Sequence, residues 1–399
     1  MSSRSIRALS GRSLSSRSLL GAATVALLAV AAVGCSSDAG GGSNSTTSTD
    51  DAAGSTDGSD VDSGDLRQSV VTALTNDVMV PGYQDMSDDA ASMRTAIEAL
   101  CATPADAALL SSAQESWSAA RTSWLLTRAF RFGPATTLRT MSTIDFPIDT
   151  SKIDKLVAGT EPLTEPLTED SIAALGSDQR GLGGIEHVLF NPDPLSTQSC
   201  SYLVAASRLV ADASDAVLDG WTVGIDGEQP FAEQLTNPGQ GGMYATEHEA
   251  LEDLINSMIF ATADVADARI GRASGDVTGT PVPEEIDAGL ARRAKQDALD
   301  VVAGIQTVFA GASLDGTAGV GIGDIVAAIS ASTVTTMDDQ LAAALTTLEM
   351  LNDPLADATD PAPAHAAYEA LKAVQVTLRA EIASQLGVTL TFGDADGDS

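Results

Sequence analysis

The chain is 399 residues long with a net charge of −34, an acidity that argues against nucleic acid and anionic lipid as partners, since both are held by basic patches. Its hydrophobic content of 44% is enough for a real core, while aromatics make up only 4% and alanine is abundant. That mix favours helices packed closely over small side chains rather than sheets, and the length suggests two domains.

Residues 1–34 read as a signal peptide. Arg4, Arg7, Arg12 and Arg17 form a basic start without acids, and the apolar run from Leu19 to Val33 is too short for a comfortable membrane span. Ala32-Val33-Gly34-Cys35 resembles a bacterial lipobox, with alanine in the usual leucine position. On this reading Cys35 is lipidated and the protein is exported, anchored to the membrane on the periplasmic or outward-facing side. The alternative is an ordinary secretory signal with a chance cysteine. Residues 35–65 are Ser, Gly, Thr, Asp and Ala with almost nothing apolar, the composition of a disordered tether. Cleavage removes four of the 21 basic residues and none of the 55 acidic ones, taking the net charge from −34 to −38. Export permits disulfides, and the mature chain keeps Cys101 and Cys200 beside the lipidated Cys35. A bridge between them is expected; the alternative is two buried thiols.

Folding is expected to begin near Leu66. Val70, Val71, Leu74 and Val78 fall at helical spacing, Pro81 interrupts, and Ala90, Met93, Ile97 and Leu100 resume. One long helix is predicted over 105–132, carrying Trp117, Arg121, Trp124, Arg128 and Phe132, with Gly133-Pro134 as its stop. Residues 135–176 are mixed. Further helices are predicted at 197–222, 244–270, 284–311, 322–350 and 363–386, with 223–243 as a Gly- and Pro-rich loop. No alternating strand pattern persists. The class is all-α, read as two antiparallel bundles, an N-terminal one over 66–222 and a C-terminal one over 244–398. Gly181-Leu182-Gly183-Gly184-Ile185-Glu186 and Gly319-Val320-Gly321-Ile322-Gly323-Asp324 echo one another, as a duplication would produce.

The stretch Arg180 to Pro192 packs three glycines, Glu186 and His187 ahead of an apolar run. Ser177 and Asp178 stand where a helix start would be capped. Glu186 and His187 are adjacent, so on a helix they point about 100° apart and cannot share a ligand without a third group. The three histidines, His187, His248 and His365, share no helical turn, unlike the His-Glu-x-x-His arrangement of zinc peptidases. His248 and Glu252 stand four apart on one helix face. With Glu186 they would make an O/N-rich set for iron, copper or zinc; the plainer reading is an exposed acidic stripe. Arg121, Arg128 and Arg131 stand out in so acidic a chain. They suit either ion pairs with Glu186 or Asp149, or a carboxylate-bearing ligand such as a siderophore or haem.

Several segments, taken in order, resemble the imelysin-like proteins, also classed as peptidase family M75. They are Val80-Pro81-Gly82-Tyr83-Gln84, Trp117 to Arg121 through Ala129 to Pro134, Ile144-Asp145-Phe146-Pro147-Ile148-Asp149, Arg180 to Phe190, and the closing Leu386 to Phe392 followed by Asp394, Asp396 and Asp398. The resemblance implies an exported, often lipid-anchored helical protein of two related bundles, tied to bacterial iron acquisition, with a founding member described as a metalloprotease. It also implies a site at a Gly-x-His-x-x-Glu motif near the domain interface. Here Gly181 and Glu186 match, but Gly183 stands in the histidine position, and His187 does not replace it. Gly181, Gly183 and Glu186 of that motif, with Arg121, Arg128 and Asp149 from the charge pattern, are the expected ligand-binding residues. The expected function is non-catalytic binding of a metal or metal-bearing ligand in iron uptake, in company with a membrane transporter. The alternatives are an M75-type metallopeptidase and a surface scaffold for another protein.

Overall fold

The computed structural model describes residues 63–160, 167–191, 193–282, 288–312, 316–352, 355 and 361–391. The signal peptide, Cys35, nearly all of the tether and the acidic tail lie outside these residues. All of the described residues belong to one compact unit. The fold is all-α, with no strand among the described residues. None of their helices is long and apolar enough to cross a membrane.

Helix α1 (Ser63–Leu74) runs through a π-helical turn, Thr75–Met79, into α2 (Val80–Ala102). Pro81, expected to interrupt, sits in the first turn of α2, and the rod continues across it. A proline ring clashes with the carbonyl four residues back, and the wide turn spanning Asp77 relieves that clash. Asp106 starts α3 (Ala107–Leu126) by accepting from the N–H groups of Ala108 and Leu109. A 3-10 turn over Thr127–Phe130 closes it. The single helix predicted over 105–132 is therefore an α-helix plus a tighter last turn.

The mixed region holds four short pieces, α4 (Pro134–Thr137), α5 (Thr140–Ile144), α6 (Thr150–Val157) and α7 (Glu169–Ala173). Then come α8 (Gly181–Leu189) and α9 (Thr197–Thr222), the latter capped by Ser196. The predicted loop over 223–243 contains α10 (Phe231–Thr236), because Phe231 is buried edge-on to Trp221 with ring centroids 4.9 Å apart. Helix α11 (Glu247–Ala263) continues as a π segment, Asp264–Gly271, and then α12 (Arg272–Ser274). After α13 (Ala294–Ala310) the helix predicted over 322–350 is split into α14 (Ile322–Ile329) and α15 (Ala331–Glu349). Ser330 makes the split, its hydroxyl accepting from Thr333 N–H as an N-cap. Helix α16 (Ala362–Val376), a π segment over Thr377–Ile382 and α17 (Ala383–Leu386) close the fold.

Helix α2 packs against α3 and α9, α15 packs on α16 and α13, and α13 also lies against α3. Gly304 permits that last crossing: a Cβ there would stand 2.3 Å from the Leu126 carbonyl oxygen, so only glycine lets the two backbones come this close. The 3-10 turn after α3 lies against both α11 and α13. The few aromatics are concentrated where these helices meet; Tyr83, Phe130, Phe132, Trp221, Phe231 and Tyr244 form one chain of ring contacts. The two echoing glycine stretches both begin short helices, α8 and α14, but their acids act differently. Asp324 accepts from the N–H of Gly321 and caps its own helix, whereas Glu186 reaches across the molecule.

Candidate functional site

Trp117, Arg121, Trp124 and Arg128 repeat at intervals of four, three and four, so they fall on one face of α3 and its closing turn. All four are buried, Arg121 to 2% exposure. A guanidinium in such a stripe must be paired, because an unpaired buried charge is far too costly. Arg121 donates from Nη1 to Asp145 Oδ1 at 2.9 Å and from Nε to Asp297 Oδ2 at 2.6 Å. The indole N–H of Trp124 takes the other oxygen of Asp145 at 2.9 Å. Asp145 therefore sits just past α5, held by two residues of α3, while Asp297 brings in α13.

The network runs on in both directions. Arg293 bridges Asp297 and Asp300, at 3.1 and 2.9 Å, and also donates to Thr122 Oγ1. On the other side the π segment after α11 supplies Asp264 and Arg269. Arg269 reaches Asp145 at 3.6 Å and Asp264 at 2.9 Å, and Arg128 meets Asp264 at 2.6 Å. Five guanidiniums, counting Arg131 at the edge, thus face four aspartates along a seam where α3, α5, α11 and α13 meet.

The electrostatics follow from this crowding. Burial would raise the Asp145 carboxyl, but Arg121, Arg269, Arg128 and the Trp124 N–H overcome it and hold Asp145 below its ordinary value of 3.8. Asp264 is likewise opposed by burial, yet Arg128 and Arg269 drive it well below 3.8. Asp300 goes the other way, pushed up by burial. A carboxyl with a depressed folded pKa contributes stability above its unfolded value and loses it as pH falls through the folded one. Thermal melts from pH 7 to pH 2 should therefore stay level down to about pH 4 and then fall steeply. Asp300 has the opposite sign and softens the fall. Asp145→Asn should flatten the acid limb; an unchanged slope in that variant would remove Asp145 from this role.

The glycine-rich stretch docks onto the same seam. Arg180, not Ser177 or Asp178, precedes α8, in extended conformation and without a side-chain cap; Asp178 pairs with Lys152 instead. Gly181 has φ +83°, and a Cβ there would stand 2.6 Å from the Ile144 carbonyl oxygen. The position needs glycine twice over, for the left-handed backbone and for the close approach to the segment bearing Asp145. The Leu182 carbonyl accepts from Trp117 Nε1 at 2.9 Å. Gly183 faces Ile148, whose Cγ2 would be 3.1 Å from an added Cβ. Glu186, 6% exposed, accepts from the Ala291 N–H at 2.9 Å, just ahead of Arg293. His187 points elsewhere, to Asp154 at 2.7 Å.

Several expected pairings are corrected by this geometry. Arg121 pairs with Asp145 and Asp297, and Arg128 with Asp264. Asp149 is the N-cap of α6, accepting from Ser151 and Lys152 N–H. Glu186, His248 and Glu252 do not form a metal set: among the described residues no group of three or more His, Cys, Asp or Glu could hold a metal ion. His248 Nε2 does lie 3.7 Å from Glu252 Oε1, as the spacing required. Glu252, however, is occupied by the Thr389 N–H at 2.7 Å, and Asn256 accepts from Thr391 N–H at 3.0 Å. Together they pin the C-terminal segment to α11. The donor set does not fit iron, copper or zinc as a resident ion. Cys101 and Cys200 are free thiols here, with Cys101 Sγ 3.7 Å from the Cys200 carbonyl oxygen.

Asp145, Asp264, Arg269, Arg293, Asp297 and Asp300 were not assigned from sequence. One trace was available. Arg293, Asp297 and Asp300 lie at intervals of four and three, a charged stripe on one face at the start of α13.

Comparison with known proteins agrees with this fold. The family model described as Imelysin, Peptidase M75, matches residues 79–385. Iron-regulated protein A of Synechococcus elongatus is 23% identical over 256 residues, covering 63% of this chain and 67% of that protein. A crystal structure of an iron-regulated protein A type precursor from Parabacteroides distasonis superposes with a TM-score of 0.71 at 18% identity, covering 81% of this chain and 95% of that one. An imelysin-like protein from Psychrobacter arcticum gives 0.66 at 18% identity, covering 84% and 99%.

Proposed function

The chain belongs to the imelysin family, peptidase family M75, and from that premise we propose that it is an exported, lipid-anchored binding protein of bacterial iron uptake. It takes up a metal-bearing anionic ligand and passes it to a membrane transporter, without hydrolysing peptides. The similarity to an iron-regulated protein of Synechococcus supports the iron role. The lipobox at Cys35 supports the anchor. The observation that carries the non-catalytic reading is the state of Glu186. Its carboxylate is buried and accepts the Ala291 N–H, and the histidine position of the motif is Gly183, packed against Ile148. A carboxylate held this way works as a joint between α8 and the segment before α13, not as a general base, which must reach a proton on substrate. The guanidinium-rich seam favours an anionic chelate over a bare cation.

The test uses the mature chain carrying Cys35→Ser to keep it in solution. Ferric citrate and haem, titrated by calorimetry, are expected to bind at one site, and casein is expected to remain intact. Fragments of casein whose release stops on adding a chelator would replace this reading with the metallopeptidase one. Retention of a membrane protein by the chain, with no ligand bound at all, would replace it with the scaffold reading.

A further inference from the structure

At the open end of the seam Arg128 and Arg131 share one neutral acceptor. Both donate from Nη1 to the thioether of Met141, at 3.2 and 2.6 Å. A thioether sulfur is a weak acceptor, and it neutralises neither charge. Arg128 has Asp264 on its Nη2, but its Nε is buried without a partner. Arg131 has no carboxylate within ion-pair distance among the described residues. Its remaining contact is the face of Trp124, 5.6 Å from the ring centroid. The two aspartates nearby are already engaged, Asp264 by Arg128 and Arg269 and Asp145 by Arg121 and Arg269. In a chain of net charge −34, this is an internal site with positive charge left over.

We propose that the space held by the Met141 thioether is a seat for an oxyanion, a carboxylate or phosphoryl group, bridging Arg128 and Arg131. Such a group would accept charge-assisted hydrogen bonds from both guanidiniums, which are about twice as strong as neutral ones. Access is provided by Met141 itself. It is only partly buried, as is Arg131, and it lies on the five-residue α5, entered through Arg139 at φ +52°. A methionine has three rotatable bonds and gives way readily. The state of Arg131 agrees: burial and the neighbouring Arg128 pull its pKa down to about 9, the shift a guanidinium shows when its counter-charge is distant.

The seat needs no metal, so it is tested with metal-free probes and stands or falls apart from the iron role. Inorganic phosphate and acetate are titrated into the Cys35→Ser mature chain in low-chloride buffer. One saturable site is expected, and the tighter of the two probes identifies the group as phosphoryl or carboxylate. Arg131→Gln should weaken it at least tenfold. Met141→Ala, which removes the competing thioether, should tighten it several-fold. No saturable site for either probe would overturn the proposal, as would undiminished binding by a folded Arg131→Gln. If Arg131→Gln does not fold, Met141→Ala decides, and unchanged or weaker binding there refutes the seat.

Discussion

Arg121→Ala is expected to cost about 3–5 kcal/mol, enough to leave the chain largely unfolded at room temperature in mild denaturant. The reason is not the loss of two ion pairs as such. Removing the guanidinium leaves Asp145 with Trp124 N–H and the more distant Arg269, and Asp297, 1% exposed, with Arg293 alone, and a buried carboxylate short of its counter-charge is penalised more than the pair was ever worth. Urea unfolding followed by circular dichroism measures the effect. The double variant Arg121→Ala with Asp297→Ala should cost less than the two single changes added together, because each already removes the other's partner. Strict additivity would mean that the seam is a row of independent contacts.

The second large effect concerns Cys101 and Cys200. One ends α2 and the other lies in the first turn of α9, and 99 positions separate them. The Cys101 thiol is pushed upward by its hydrogen bond to Cys200 and by burial. In an oxidising envelope a protein disulfide would accept the two electrons and two protons of these thiols and become a dithiol, leaving an intramolecular bridge. A loop of that length is worth up to about 4.7 kcal/mol in the chain-entropy model. Chain purified from the envelope should be 2 Da lighter than its reduced form, a mass difference of about two hydrogens, and reduction should lower its melting temperature by several degrees. Cys200→Ser should reproduce the reduced state. Full alkylation of both thiols without prior reduction would show that the bridge does not form.

These two effects divide differently between sequence and structure. The neighbourhood of Cys101 and Cys200 was anticipated by elimination, since few cysteines leave few pairings. Arg121 could not be paired that way. Its helix and its face were readable from Trp117 and Trp124, but 55 acidic residues compete for it, and two that it meets, Asp145 and Asp297, lie 24 and 176 positions away in the chain. Asp145 stands in the Ile144 to Asp149 segment, where nothing local distinguishes it from Asp149 four residues later. Asp149 precedes a helix and caps it; Asp145 follows one and turns inward.

What the sequence determined by itself was the all-α class, most helix positions, the glycine demand at the start of α8 and the family. These rest on periodicity, capping and backbone freedom, which act over a few residues and so leave a readable trace. Tertiary structure decided where the charges go. Glu252 became a clamp for the C-terminal segment, Glu186 a joint to Ala291, and four arginines paired with four aspartates drawn from three separate stretches of chain. Only the packing of α3 against α13 and the π segment brings those groups within 2.6 to 3.6 Å, and the requirement that a buried charge be paired then selects the partners.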